Sequence, residues 1–310
     1  MTDKARIDVH QQITDQIIAA IEKGGGSWEM PWHRPGTHFA LPANVESKKR
    51  YNGINILSLW VAAELKGYEH HLWGTFRQWR EKGAQVRKGE KASLVVFYKE
   101  LAFAADNADT GESEIEKRYF ARASWAFNVA QVEGYEMPGE TPLRDLTEVL
   151  PAVDAYVANT GARIEHGSQM AFYRPSTDTI HMPNRDRFVG TATSSPTEAY
   201  YHTLLHELLH LSGSERRLNR DFGERFKSEA RAFEEILVEI GAAYLSTDLG
   251  ITPVARDDHA HYISTWLSIL RSDKKAIFTA AAAASKAVAY LDRLQPQSRS
   301  TESVVAAEAA

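Results

Sequence analysis

The strongest constraint on this chain is a pair of helical runs whose apolar faces carry ionisable side chains. YYHTLLHELLHLSG, residues 200–213, sets His206 and His210 four apart among leucines. FEEILVEIGAAYL, residues 233–245, sets Glu235 and Glu239 four apart among Phe233, Ile236, Leu237, Ile240 and Tyr244. Side chains at i and i+4 share a helix face, so each run lines up two polar groups on one face, with apolar residues flanking the histidines and covering the other faces of the second run. An imidazole or carboxylate buried alone is costly. The two helices are therefore expected to face one another, and Gly241-Ala242-Ala243 lets them approach closely.

The spacing of His206 and His210 lets both rings reach one ion at about 2.0–2.1 Å from each nitrogen. Glu207, rotated roughly 100° around the helix, stands beside that ion without binding it, where a general base would act on water. The bland alternative is a core helix with solvated histidines. LSGSERRLN after His210 offers no third histidine at short spacing. The third ligand is expected from the later helix as Glu235, with Glu234 its rival and Glu239 the acceptor for a liganding imidazole. The alternative there is a row of acids on a solvated face. His202, one turn before His206, is read as a packing residue or as support behind the ligands, since three histidines plus Glu235 would close the position water needs. The chain has no cysteine, so His, Asp or Glu must hold any metal; zinc is the ion expected. Tyr173, His259, His261 and Tyr262 are candidates for stabilising an oxyanion.

At 310 residues the chain suggests two domains. No run of eighteen apolar residues predicts a membrane span, and the polar start, MTDKARIDVHQQ, lacks the apolar centre of a signal peptide. Absence of cysteine fits a reducing cytosol. A net charge of −5 argues against a protein that coats nucleic acid over its whole surface. The charge is uneven, however: Asn44–Lys99 holds eleven Lys/Arg against five Asp/Glu, whereas Glu100–Glu116 holds six acids and no base.

Periodicity and breakers predict an α+β fold. Helices are expected over 7–23, stopped by Gly24-Gly25-Gly26, over 53–66, ending at Gly67, and over FRQWREK, capped by Thr75 and closed by Gly83. Residues 28–52 read as loop. Ser93–Lys99 reads as a strand and Arg118–Val129 as one or two more, with the acidic segment between them a solvated hairpin loop. Residues 137–145 read as a linker. Beyond it come a helix over Leu146–Asn159, strands over Ala162–Glu165, Met170–Tyr173 and Thr179–Met182, and helices over Tyr200–Leu211, Glu229–Leu245, Tyr262–Leu270 and Lys274–Leu294. RPSTD is a turn, Gly213 a helix stop, and residues 296–310 a disordered tail lacking a core pattern.

The N-terminal part concentrates tryptophan: Trp28, Trp32, Trp60, Trp73, Trp79 and Trp125 are six of the chain's seven. Near them lie Lys48, Lys49, Arg50, Tyr51 and Asn52, and then Arg87, Lys88 and Lys91. Cations that track phosphates beside rings that stack on bases are the chemistry of single-stranded DNA binding; the alternative is core tryptophans and a solvated basic turn. YNGINILSLW, the FRQW segment, VRKGEKASLVVFYK and FNVAQVEG together resemble the N-terminal domain of the ArdC antirestriction family, which also occurs in TraC-type plasmid primases and is described as binding single-stranded DNA. HELLH followed about 25 residues later by EEILVE resembles zincin-like metallopeptidases of the glutamate-ligand type. One departure is Val129, where many family members have an aromatic, which removes a stacking role there.

The resemblance implies an N-terminal α+β domain over 1–136 that binds single-stranded DNA, and a mainly helical zincin-like domain with a small β-sheet over 146–295. It further implies a cytoplasmic bacterial protein of a conjugative element that protects incoming DNA from restriction. A host restriction enzyme or another host protein is a further candidate partner, and no membrane is expected. Two rival readings are a metalloprotease localised by DNA and a purely DNA-binding protein with a structural metal.

Overall fold

The computed structural model describes residues 8–23, 40–106, 113–137, 146–190, 194–223, 229–252 and 263–296. The fold is α+β, as the periodicity predicts. In the N-terminal part, α1 (Val9–Lys23) precedes β1 (Ala43–Asn44), α2 (Ile54–Lys66), β2 (Leu72–Gly74), α3 (Phe76–Glu81) and β3 (Gln85–Val86). A long hairpin of β4 (Ser93–Asp106) and β5 (Ser113–Asn128) follows, then β6 (Val132–Glu133). One sheet has the order β1-β2-β5-β4, and β3 pairs with β6. The short strands β1, β2, β3 and β6 are not predicted from the sequence, because two or three residues carry no periodicity.

The outer edge of β4 is an exposed row of unpaired backbone groups unless something covers it. α2 does. Asn55 donates to the carbonyl of Val96 at 2.8 Å and accepts from its N–H at 2.7 Å, while Ser58 donates to the carbonyl of Leu94 at 2.8 Å. Asn55 and Ser58 are three apart and buried, so one helix face substitutes for a missing strand.

The acidic segment expected as a hairpin loop is mostly strand instead. β4 and β5 pair in unbroken antiparallel register from Ser93↔Ala126 to Asp106↔Ser113. The charge count hides Leu101–Ala105, an unbroken apolar run between Glu100 and Asp106, and a short apolar run of that kind is itself a strand signal.

The C-terminal part comprises α4 (Leu146–Asn159), β7 (Arg163–His166), β8 (Phe172–Arg174), β9 (Thr179–Met182), α5 (Pro196–Ser212), α6 (Ala230–Leu249), α7 (Ile263–Ser272) and α8 (Ala276–Arg293). Its sheet has the order β7-β9-β8, β9 running parallel to β7 and antiparallel to β8. α5 begins four residues before the predicted start. Ser195 and Glu198 form a capping box and Pro196 occupies the first turn, a signal spelled in the sequence as SPTE.

One apolar core runs through both parts. Ile13 and Ile17 of α1, Leu57 of α2 and Val96 of β4 belong to the same buried cluster as Leu205, Ile236, Trp266 and Ala284. Polar bonds cross the same seam. Tyr244 donates to the carbonyl of Gly53 at 2.9 Å, the N–H of Gly53 donates to Ser285 Oγ at 3.0 Å, and Thr14 donates to the carbonyl of Lys274 at 2.8 Å. Of the expected linker only Met137 is described, and of the expected tail only Pro296. No described helix is long and apolar enough to cross a membrane.

Candidate metal centre

α5 and α6 lie side by side at close range: a Cβ on Gly241 would come within 2.9 Å of Leu209 Cδ1. This contact brings the two polar rows together. Glu235 Oε2 lies 3.5 Å from His206 Nε2 and 3.5 Å from His210 Nε2. Among the described residues, His206, His210 and Glu235 form a group whose donor atoms all lie within 4.8 Å of one another.

The other nitrogen of each ring also faces a carboxylate. His206 Nδ1 is 3.2 Å from Glu239 Oε2, and Glu239 is fully buried. His210 Nδ1 is 3.4 Å from Glu234 Oε1. A carboxylate at Nδ1 holds the proton there and turns the Nε2 lone pair inward, toward the shared position. Two neutral nitrogens and one carboxylate oxygen suit a divalent ion of the zinc type and leave a coordination position for water.

Burial alone would raise the Glu235 carboxyl, but hydrogen bonds with His206 and His210 outweigh it and hold it well below the usual carboxylate range. In the metal-free protein burial would lower His210, but hydrogen bonds to Glu234 and Glu235 overcome it and push the ring up to about 10, so an incoming ion must displace a proton before Nε2 can ligate. Glu207 is buried and its charge acts on His210 in the same direction.

Glu234 is not drawn into the group of donors. It pairs with Arg220 as well as with His210, so it stands behind an imidazole rather than beside Glu235. His202 is fully buried, and its Nδ1 meets Ser246 Oγ at 2.9 Å, tying α5 to α6 away from the three donors. Tyr173 donates to Asp178 at 2.8 Å, and Asp178 is gripped by Arg217. His259, His261 and Tyr262 lie outside the described residues.

The basic residues are spread over three surroundings. Asn44 Oδ1 accepts the N–H groups of Glu46 and Ser47, both at 3.0 Å, folding residues 44–49 into a tight turn that leaves Lys48 and Lys49 exposed. Arg50 instead pairs with Asp248 near the end of α6, and Tyr51 is half-buried while Asn52 is exposed. Arg87 donates to Glu90 at 3.0 Å and to the carbonyls of Ala130 and Val132, whereas Lys88 and Lys91 are exposed. Trp60, Trp73 and Trp79 are core residues; Trp28 and Trp32 lie outside the described residues. Exposed rings lie elsewhere: Trp125 is 40% exposed on β5, and Phe76, 47% exposed, meets Phe127 edge-on at 6.5 Å. Trp125 and Phe127 are two apart on one strand and so share a face. The FRQW and SWAFN segments contain these rings, but the sequence does not distinguish them from core aromatics.

Residues 7–127 match the family described as the N-terminal domain of anti-restriction factor ArdC, and residues 151–283 match the family of zincin-like metallopeptidases. The protein y4eC of Sinorhizobium fredii, itself uncharacterized, is 44% identical over 97% of both chains. A DNA primase TraC of Escherichia coli is 33% identical over 96% of this chain, which spans only 28% of that primase's length. The metal-free crystal structure of the antirestriction ArdC protein from plasmid R388 superposes with a TM-score of 0.74 at 38% identity, covering 93% of this chain and 98% of that one. Its Mn(II)-bound form gives a TM-score of 0.70.

Proposed function

Because the chain belongs to the ArdC family of antirestriction proteins, we propose that it binds single-stranded DNA through its N-terminal part and holds one zinc ion through His206, His210 and Glu235. The compartment we infer is the bacterial cytoplasm during DNA transfer. The observation that carries the metal reading is the double facing of each imidazole, with Nε2 toward Glu235 and Nδ1 toward a carboxylate of its own. That the R388 relative has a Mn(II)-bound form supports a divalent ion.

When bound, such an ion supplies a Lewis acid that polarises a carbonyl and acidifies water. Glu207, buried next to the imidazoles, would accept the proton of the attacking water and return it to the leaving amine. Glu234 and Glu239 would keep the two ligand rings in place. For DNA, Lys48, Lys49, Lys88 and Lys91 would engage phosphates. The exposed rings Phe76 and Trp125 would offer stacking surfaces, which need no particular base.

Glu207→Gln, prepared with its metal still bound, separates hydrolysis from binding. Loss of antirestriction in that variant, with single-strand affinity unchanged, is the expected outcome. Full protection of incoming DNA would rule out a hydrolytic role in antirestriction. The whole chain is the material for these tests, since Ile13, Ile17 and Leu57 share their core with the C-terminal helices.

A further inference from the structure

We propose that Arg220 is a positioning residue for the metal centre: through Glu234 it fixes the orientation of His210. This rests on reading His206, His210 and Glu235 as ligands. The two imidazoles are supported very differently. The carboxylate behind His206 is Glu239, fully buried between α5 and α6, where packing leaves it no freedom. The carboxylate behind His210 is Glu234, whose side chain is 21% exposed, next to a ring that is itself 18% exposed. A glutamate at such an edge can turn toward solvent, and water competes for its oxygens.

Arg220 prevents that. Its Nε donates to Glu234 Oε2 at 3.1 Å and its Nη2 donates to Oε1, a two-pronged grip on one carboxylate. The guanidinium is anchored in turn. Nη1 donates to Ser212 Oγ at 2.7 Å and Nη2 to the carbonyl of Leu209 at 2.7 Å, within the last turn of α5. With its side chain only 8% exposed, Arg220 occupies the end of the helix that carries both histidines. A cation there also complements the helix dipole.

The chain is built to bring it back. The N–H of Asn219 donates to the carbonyl of Ser214 at 3.0 Å, that of Arg220 to the carbonyl of Gly213 at 3.0 Å, and Asn219 has φ 44°. Gly213 has an ordinary helical φ of −81°, so the turn itself does not demand glycine. Close approach does: a Cβ on Gly213 would lie 2.3 Å from Arg220 Nη2. The Arg220–Glu234–His210 sequence of contacts therefore starts from a glycine whose missing Cβ makes room for the guanidinium. Lysine cannot reproduce the two-pronged grip, because its ammonium is a point donor.

The test is Mn(II) titration of the full-length protein, read by the electron paramagnetic resonance of free Mn(II), for the wild type, Arg220→Lys, Arg220→Met, Glu234→Gln and the Arg220→Met/Glu234→Gln double variant. Each single variant is expected to bind roughly ten- to a hundred-fold more weakly, the usual effect of removing a partner behind a metal ligand. The double variant should be no weaker than Glu234→Gln alone, because Arg220 acts through that carboxylate. Wild-type affinity in the Arg220 variants, or losses that simply add, would overturn the proposal. Should Arg220→Met not fold, Arg220→Lys and Glu234→Gln make the same comparison. A wild-type protein with no stoichiometric Mn(II) site, or His210→Ala binding as tightly as wild type, would instead overturn the ligand reading.

Discussion

The proposed metal centre and the basic face both use charged side chains, and they hold them in opposite ways. His206 and Glu239 are within 1% of full burial, and each needs the other's charge or hydrogen bond. Lys48, Lys49, Lys88 and Lys91 are exposed, and water solvates them before any partner arrives. A buried polar group fixes structure because leaving it unpaired is expensive. An exposed one costs almost nothing to keep and almost nothing to lose, so under the proposed function its value would appear only when a phosphate binds. Between these extremes lies Asp178, 28% exposed and gripped by Arg217 at 2.7 and 3.0 Å.

Stability measurements on the metal-free protein should reproduce that order. Glu239→Ala strips the buried partner from His206 and is expected to cost about 3 kcal/mol, seen as a lowered urea midpoint. A loss under 1 kcal/mol would mean the buried row is less constrained than its geometry indicates. Asp178 comes next. A hydrogen-bonded Arg217 holds its carboxyl below the usual range, with burial opposing. A depressed folded pKa gives stability that is complete above the unfolded value near 3.9 and drains away as pH falls through the folded one. The wild type should therefore lose stability relative to Asp178→Asn as pH falls from about 5 into the acid range, and parallel stability profiles would contradict this.

Arg50→Ala breaks a pair with Asp248 in which the arginine side chain is 58% exposed. The expected cost is below about 1 kcal/mol, and a larger loss on thermal melting would make that contact a structural tie across the seam. Lys88→Ala and Lys91→Ala should leave stability within about 0.5 kcal/mol. Each should flatten the salt dependence of single-strand affinity by about 0.7 in log–log slope. An unchanged slope would move the phosphate contacts elsewhere on the surface.

The same contrast explains what the sequence makes legible. His206, His210, Glu235 and Glu239 repeat at helical spacing, and that spacing is enough to put them on facing surfaces. The choice between Glu234 and Glu235 is harder, since adjacent residues differ by roughly 100° around a helix and only the register of α6 against α5 separates them. Arg220 is not legible at all, because its place depends on the return turn from Gly213 to Asn219 rather than on any period. The proposed DNA face is the least legible. Of its eight candidate residues, Arg50 pairs with Asp248, Arg87 folds back on the Val132 carbonyl and Tyr51 is half-buried, while Asn52 is exposed like the four lysines. Phe76 and Trp125 stand exposed, and nothing in their segments marks them off from core aromatics. Exposure of a ring follows from which neighbours cover it, and β2 covers only the last residues of β5.

The central claim is that Glu235 completes a one-ion site with His206 and His210. Metal content of the purified full-length protein, measured beside Glu235→Ala, tests it most directly. One divalent ion per chain in the wild type and almost none in the variant is the predicted result. Equal occupancy in both would contradict the account.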